Sequence, residues 1–140
     1  MSKFENINGG SLMIKAYLAF ISLGYEGEDV EIQYSIYDGE ELIKKQVSYI
    51  DYKKPALAGQ FAVRMLLEEL EDYKEEEIKI IIHDGALYEV LIGTSTSRDR
   101  ELQEMGKETR EEFERFRDLE IEDIEGDHLA IEEWRDKLKF

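Results

Sequence analysis

The pattern of strands and helices predicts an α/β fold with a five-stranded mixed sheet, three antiparallel strands followed by two parallel ones, and helices on both faces. Two observations predict this arrangement. β-Rich runs joined by short turns fill the first third of the chain, and helical periodicity then alternates with short strands. The 140 residues, 42% of them hydrophobic, suffice for one core and are too few for two ordinary domains. We therefore expect one domain over residues 13–140, preceded by a flexible polar leader at 1–12.

Three antiparallel strands are predicted from apolar runs and the turn residues between them. The run that starts at Met13, MIKAYLAFISLG, is almost continuously apolar, which is typical of a central strand covered on both faces. From Val30 onward apolar and polar residues alternate with a period of two, as in a half-buried strand. Asp38 and Gly39 then supply the turn chemistry of a hairpin that leads into ELIKKQVSYID.

The rest of the chain alternates helices with two further strands. Pro55 stands where a helix begins, because its missing N–H is harmless in the first turn, and Gly59 is a mild defect inside that helix. The run EIKIII lacks alternation, as in a strand buried on both faces and parallel to its neighbour. A short helix (ALYEVLIG), a charged helix from about 101 to 117, an edge strand (LEIEDIE) and an amphipathic helix (HLAIEEWRDKLKF) complete the order.

Composition and charge exclude several classes of function. Cysteine is absent, which excludes disulfides, thiolate chemistry and thiolate metal sites. The 34 acidic and 18 basic residues give a net charge of −16, and duplex binding rests on Lys and Arg neutralising phosphates. Nucleic acid is therefore not expected to bind tightly, and a protein is the expected partner. The chain has neither a signal sequence nor an apolar run of the roughly 20 residues that span a bilayer. We expect a cytoplasmic protein without a membrane partner.

The element order, with two local motifs, resembles the ribonuclease H-like superfamily over essentially residues 13–140. IIIHDGALYEV is similar to the family's fourth strand, which ends in an aspartate before a helix, and EEWRDKLK is similar to its closing segment. In the family's enzymes, carboxylates from the first strand, first helix, fourth strand and last helix hold two divalent ions. The resemblance implies metal positions for Asp84 and Asp136, with Glu133 as a nearby substitute. It also implies that His128 takes the place of a mobile histidine that assists proton transfer and product release.

The other two carboxylate positions of the family are not acidic in this chain. The first-strand position falls on Ser22, or on Phe20 if the register slips by two, and the first-helix position falls near Gly59 or Gln60. Mg²⁺ requires several oxygen ligands in near-octahedral geometry. We therefore expect no cofactor, or only weakly bound Mg²⁺ or Mn²⁺.

The two retained aspartates have simpler interpretations as well. Asp84 stands directly before Gly85, where its side chain would accept N–H groups as a helix N-cap. Asp136 could equally be a solvated residue on the terminal helix. His128 is equally consistent with an exposed residue that has no part in chemistry.

Three functions remain open at the level of sequence. The first is a non-catalytic ribonuclease H-like domain that acts as an interaction or regulatory module. The alternative is a divergent Mg²⁺- or Mn²⁺-dependent nuclease that cleaves the RNA of RNA/DNA hybrids, in which Glu26, Glu28 or Asp51 replaces the lost ligands. The third is a nucleic-acid mimic whose carboxylates imitate phosphates. The missing carboxylates favour the first, without enzymatic activity.

Overall fold

The strands and helices follow one another in the order that the sequence predicts. The computed structural model describes residues 13–21, 27–51 and 54–139, and the predicted leader at 1–12 lies outside this part of the chain. A single 3₁₀ turn, Glu71–Tyr73, follows the first helix. The elements are β1 Met13–Ile21, β2 Val30–Asp38, β3 Glu41–Ile50, α1 Pro55–Glu69, β4 Glu77–Ile82, α2 Gly85–Ile92, α3 Arg100–Phe113, β5 Asp118–Asp123 and α4 His128–Leu138.

The five strands form one mixed sheet in the order β3-β2-β1-β4-β5. Strands β1, β2 and β3 pair antiparallel, whereas β4 runs parallel to both β1 and β5. This arrangement confirms the predicted fold class, including the edge position of β5. Strand β1 lies at the centre of the sheet, as its continuous apolar run indicates.

The hairpin between β2 and β3 turns at Gly39 and Glu40, directly after Asp38. Of these two turn residues, Gly39 has a positive φ, of 61°. This backbone conformation costs glycine little because it has no Cβ. The Asp-Gly signal therefore locates the hairpin correctly, although the aspartate itself is the last residue of the strand.

Helix α1 covers one face of the sheet, which we call the α1 face. Its small residues Ala58 and Ala62 are fully buried together with Leu66, and they belong to the same core as Leu18 and Ile80 of the central strands. Helices α2 and α3 lie beside α1. Small side chains on α1 bring the helix close to the sheet, so that face is densely packed.

Of the helices among residues 13–21, 27–51 and 54–139, only α4 packs on the opposite face, which we call the α4 face. Leu138 of α4 forms a smaller core with Tyr17, Ile81 and Ile124. The long charged helix α3 ends at Phe113 instead of near residue 117, and Phe116 turns into the main core with only 6% of its surface exposed. None of the helices in the described part of the chain is long and apolar enough to cross a bilayer.

Candidate functional site

The candidate site lies where the parallel strands β1 and β4 end. Their last paired residues are Tyr17 and Ile81. Just beyond this pairing, Phe20 and Asp84 line the same cleft. Strand carboxyl ends are where open α/β sheets bind ligands. Ser22, the other predicted counterpart of the family's first-strand aspartate, lies outside the described residues.

Asp84 is the N-cap of α2, as one of its two sequence interpretations predicts. Its Oδ1 accepts a hydrogen bond from the backbone N–H of Leu87 at 3.0 Å, and its backbone is extended, with φ −162° and ψ 102°. The cap satisfies one of the N–H groups that the first turn of a helix leaves unpaired. No hydrogen bond within the described part of the chain reaches Oδ2, so one oxygen of this half-buried carboxylate is available.

Two further carboxylates, which the sequence analysis missed, surround the start of α2. Asp123 Oδ1 accepts hydrogen bonds from the backbone N–H groups of Asp84 and Glu125, both at 3.2 Å. Glu125 Oε1 accepts from the N–H of Gly85 at 3.1 Å. Negative charge is favourable at a helix N-terminus. The predicted parallel pairing of β4 with β5 could have pointed to these acids. The register of that pair sets Ile82 beside Asp123 at the same edge of the sheet.

The ring of Phe20 occupies the space between the end of β1, helix α1 and helix α2. A Cβ atom built on Gly59 would lie 2.9 Å from Phe20 Cζ and 3.0 Å from Leu87 Cδ2. Both distances are shorter than ordinary carbon contacts. The glycine is therefore required for close packing and is more than the mild defect that the sequence predicts. Phe20 is the alternative to Ser22, and Gly59 the alternative to Gln60, at two of the carboxylate positions that the resemblance implies, and hydrocarbon fills the space between Phe20 and Gly59.

Gln60, the second candidate for the first-helix carboxylate position, is turned toward another helix. Its side chain is fully buried, and Nε2 donates a hydrogen bond to the backbone carbonyl of Leu102 in α3 at 3.0 Å. Its Oε1 is buried without a hydrogen-bond partner. Helix α1 therefore supplies no acid at either candidate position.

Helix α4 is anchored at the site by Trp134. The indole Nε1 donates a hydrogen bond to the carbonyl oxygen of Leu18 at 2.9 Å. The indole also meets the imidazole of His83 edge-on, with ring centroids 5.4 Å apart and an angle of 87° between the rings. A half-buried tryptophan commonly combines apolar packing with one such polar contact.

The other end of α4 lies at the β2–β3 hairpin, away from Asp84. Lys137 Nζ is 3.5 Å from Glu40 Oε1 and 4.3 Å from the ring centroid of Tyr37. Asp136 precedes this lysine and is exposed. Because it is two residues, or about 200° of helical rotation, from Trp134, its side chain points away from the sheet. Asp136 therefore does not share the contact that Trp134 makes with the end of β1.

Glu133 and His128 are also exposed on α4. His128 is the first residue of the helix, and Asp127 before it is the N-cap, accepting from the N–H of Ala130 at 3.1 Å. Burial, followed by the negative charge of Glu133, raises the pKa of Tyr17 far above its ordinary value. Glu133 thus acts electrostatically on the middle of β1, and its metal role stays a prediction together with those of Asp136 and His128.

Asp51, one of the acids that could replace a missing ligand, does not lie beside Asp84. Glu28 and Asp51 are both exposed, and Glu26 lies outside the described residues. Asp51 follows β3, which is three strand spacings from β4, or roughly 14 Å. Within residues 13–21, 27–51 and 54–139, no three histidine or carboxylate side chains form a group that could hold a metal ion. The described donor set therefore does not fit a two-ion centre.

A cleft of about 210 Å³ opens beside Asp84. Its walls are the last residues of β1 and β4, the residues that follow β4, and the tryptophan that anchors α4. We call it the aromatic cleft, and it is lined by Leu18, Ala19, Phe20, Ile82, His83, Asp84 and Trp134. A second cavity of about 390 Å³ lies on the other side of Asp84, between α2 and the start of α3.

Comparisons with solved structures identify the fold. Ribonuclease H1 from the halophilic archaeon Halobacterium salinarum aligns with a TM-score of 0.74 and 20% identity, over 90% of this chain and 93% of its own. The N-terminal ribonuclease H domain of a Mycobacterium tuberculosis protein gives 0.71 and 13%, over 91% and 95%. LC11-RNase H1 in complex with an RNA/DNA hybrid gives 0.69 and 18%, over 89% and 96%.

Sequence comparison adds no family assignment, since no protein-family model and no curated protein matches the chain. The structural likeness covers nearly the whole chain and nearly the whole of each ribonuclease H that it matches. At identities of 13–20% such a likeness establishes architecture and leaves activity open. The chain has a ribonuclease H-like fold.

Proposed function

We propose that this chain is a non-catalytic ribonuclease H-like domain that serves as an interaction module. One observation carries the proposal: the ring of Phe20 packs against Gly59, and these two residues are candidates for two of the metal-binding carboxylate positions that the resemblance implies. A hard divalent cation requires oxygen ligands, and an aromatic ring and a glycine offer none.

The acids that remain near Asp84 are engaged with the backbone. Asp123 and Glu125 accept hydrogen bonds from N–H groups at the start of α2, and Asp84 uses Oδ1 for its cap. Turning these oxygens toward a cation would leave the helix N-terminus without its partners, at a cost of about 1 kcal/mol per lost cap. This competition supports weak binding of Mg²⁺ or Mn²⁺ at most.

The net charge of the chain indicates which class of partner it can bind. A net charge of −16 opposes the approach of a nucleic-acid duplex and favours a basic surface on another protein. We therefore propose a protein as the partner, and we expect no tight binding of RNA/DNA hybrids at physiological salt.

Hybrid cleavage tests the proposal directly. The purified chain is incubated with a labelled RNA/DNA hybrid and Mg²⁺ or Mn²⁺, beside a ribonuclease H1 as positive control and the Asp84→Asn variant. We expect no product above the metal-free background from either the unsubstituted chain or the variant. Metal-dependent cleavage that Asp84→Asn abolishes would establish the nuclease alternative instead.

A further inference from the structure

The aromatic cleft has walls of two kinds. Trp134 and His83 supply aromatic surface, and Asp84 supplies a carboxylate with a free Oδ2 within the described part of the chain. Neither Lys nor Arg contributes to the described lining. The pocket therefore combines ring surface with negative charge, at one end of a protein whose net charge is −16.

We propose that the aromatic cleft binds the guanidinium group of an arginine presented by a partner protein. A guanidinium is planar, stacks on aromatic rings and donates paired hydrogen bonds to a carboxylate. The proposal rests on the proposed function, because it assigns the strand-end site to recognition of a partner instead of to hydrolysis.

The size of the cleft favours a single side chain. Pockets for drug-sized ligands measure roughly 300–1,000 Å³, and this one measures about 210 Å³. A phosphate or carboxylate group would meet Asp84 with like charge. A nucleobase could stack on Trp134, but the backbone attached to it would be repelled by the acidic chain.

The probe pair is N-acetyl-arginine amide and N-acetyl-citrulline amide, which have nearly the same shape and differ in charge. Trp134 is the single tryptophan, so its fluorescence and its indole N–H resonance report on the cleft alone. We expect saturable shifts with the arginine probe that weaken as salt rises. The citrulline probe should produce much smaller shifts at the same concentrations.

Asp84→Asn separates charge from structure, because asparagine caps a helix as well as aspartate does. We expect it to weaken arginine binding by about two- to fivefold, the range of a partly exposed ion pair. Asp99→Asn is the matched control: Asp99 caps α3 through the same kind of bond, with Oδ1 accepting from Leu102 N–H at 3.2 Å, and it does not line the cleft. Arginine affinity should be unchanged in this variant.

Three outcomes would overturn the inference: equal shifts from the two probes, equal affinity in the Asp84→Asn and Asp99→Asn variants, or saturable shifts with AMP that exceed those with the arginine probe. The hybrid cleavage assay is independent of this titration. An uncut hybrid without arginine binding would remove the inference and leave the proposed function intact, whereas a cut hybrid would remove the proposed function itself.

Discussion

The ends of the central strands are closely packed on one face of the sheet and border an open cleft on the other. On the α1 face, the ring of Phe20 meets Gly59 and Leu87, and the space is filled with carbon. On the α4 face, His83 and Trp134 meet edge-on beside a cleft of about 210 Å³. Phe20 and Asp84 line this cleft together with His83 and Trp134, so the cleft lies at the strand ends where the two environments meet.

This contrast teaches that the same strand ends can be closely packed at one point and open at another. Close packing at Phe20 adds stability through burial, and a phenyl ring offers no oxygen ligand to a cation. Beside it, a cleft of about 210 Å³ stays open where Trp134 of α4 meets the strand ends. We therefore expect substitution of Gly59 to act on stability alone, and substitution of Trp134 to act on stability and on recognition.

The largest expected effect is on the free energy of unfolding, and it tests how strongly Trp134 anchors α4 to the sheet. Trp134→Ala removes the indole contact with His83 and the hydrogen bond to the Leu18 carbonyl. We expect the free energy of unfolding to fall by about 2–4 kcal/mol, as for other large aromatic truncations. Urea denaturation followed by circular dichroism measures the change.

Trp134→Phe is the control, because it keeps a ring and loses only the hydrogen bond. A loss of about 1 kcal/mol is expected for that variant. If Trp134→Ala cost no more than Trp134→Phe, the indole would not anchor the helix, and the contrast between the two faces would weaken.

A smaller effect tests the packing on the α1 face. Gly59→Ala places a methyl group 2.9 Å from the Phe20 ring, and we expect a loss of about 1–2 kcal/mol from overpacking. In a Phe20→Ala background that steric conflict is relieved, and alanine's better helix propensity should make the same change stabilising by up to about 1 kcal/mol. A double-mutant cycle in urea measures this reversal. Additive effects would mean that Phe20 and Gly59 do not share the packed space.

The smallest effect concerns alkaline pH on the α4 face. Because burial and Glu133 raise the pKa of Tyr17 above its ordinary value of 10.0, the neutral phenol stabilises the folded state. That contribution is complete below about pH 10 and is lost as the pH rises toward the folded-state pKa. Tyr17→Phe should therefore show a shallower loss of stability between neutral and alkaline pH.

Tyr34→Phe provides the comparison on the other face, where burial also raises the pKa of the tyrosine but the nearby Lys44 opposes the shift. Unfolding by urea at several alkaline pH values compares the two variants. Equal slopes for the unsubstituted chain and Tyr17→Phe would show that the acidic environment of α4 has no effect on β1.

Much of the fold could be predicted because its signals are local. The continuous apolar run from Met13, the Asp-Gly turn and Pro55 at the first position of α1 each stand where the pattern indicates. The N-cap interpretation of Asp84 is confirmed for the same reason, since capping depends on neighbours within one turn. The end of α3 was misplaced, because packing of Phe116 into the core terminates the helix earlier than its charge pattern suggests.

The site was less predictable, because its members come from distant segments. Asp123 and Glu125 approach Asp84 only through the parallel pairing of β4 with β5. Asp136 belongs to a motif that resembles the family's closing segment, yet its position depends on how α4 lies against the sheet. Helix docking is decided by the partners that Trp134 and Leu138 meet on the sheet, and these partners belong to distant segments of the chain.

The sequence by itself determined the order of elements, the caps and turns, and the absence of an acid at Phe20 and Gly59, because these depend on residue type and short-range periodicity. The tertiary structure alone decided that Phe20 and Asp84 line one cleft, that Gly59 meets the Phe20 ring, and that α4 docks through Trp134 and Leu138. Strand register and helix docking join residues dozens of positions apart, and no local pattern encodes which of them will meet.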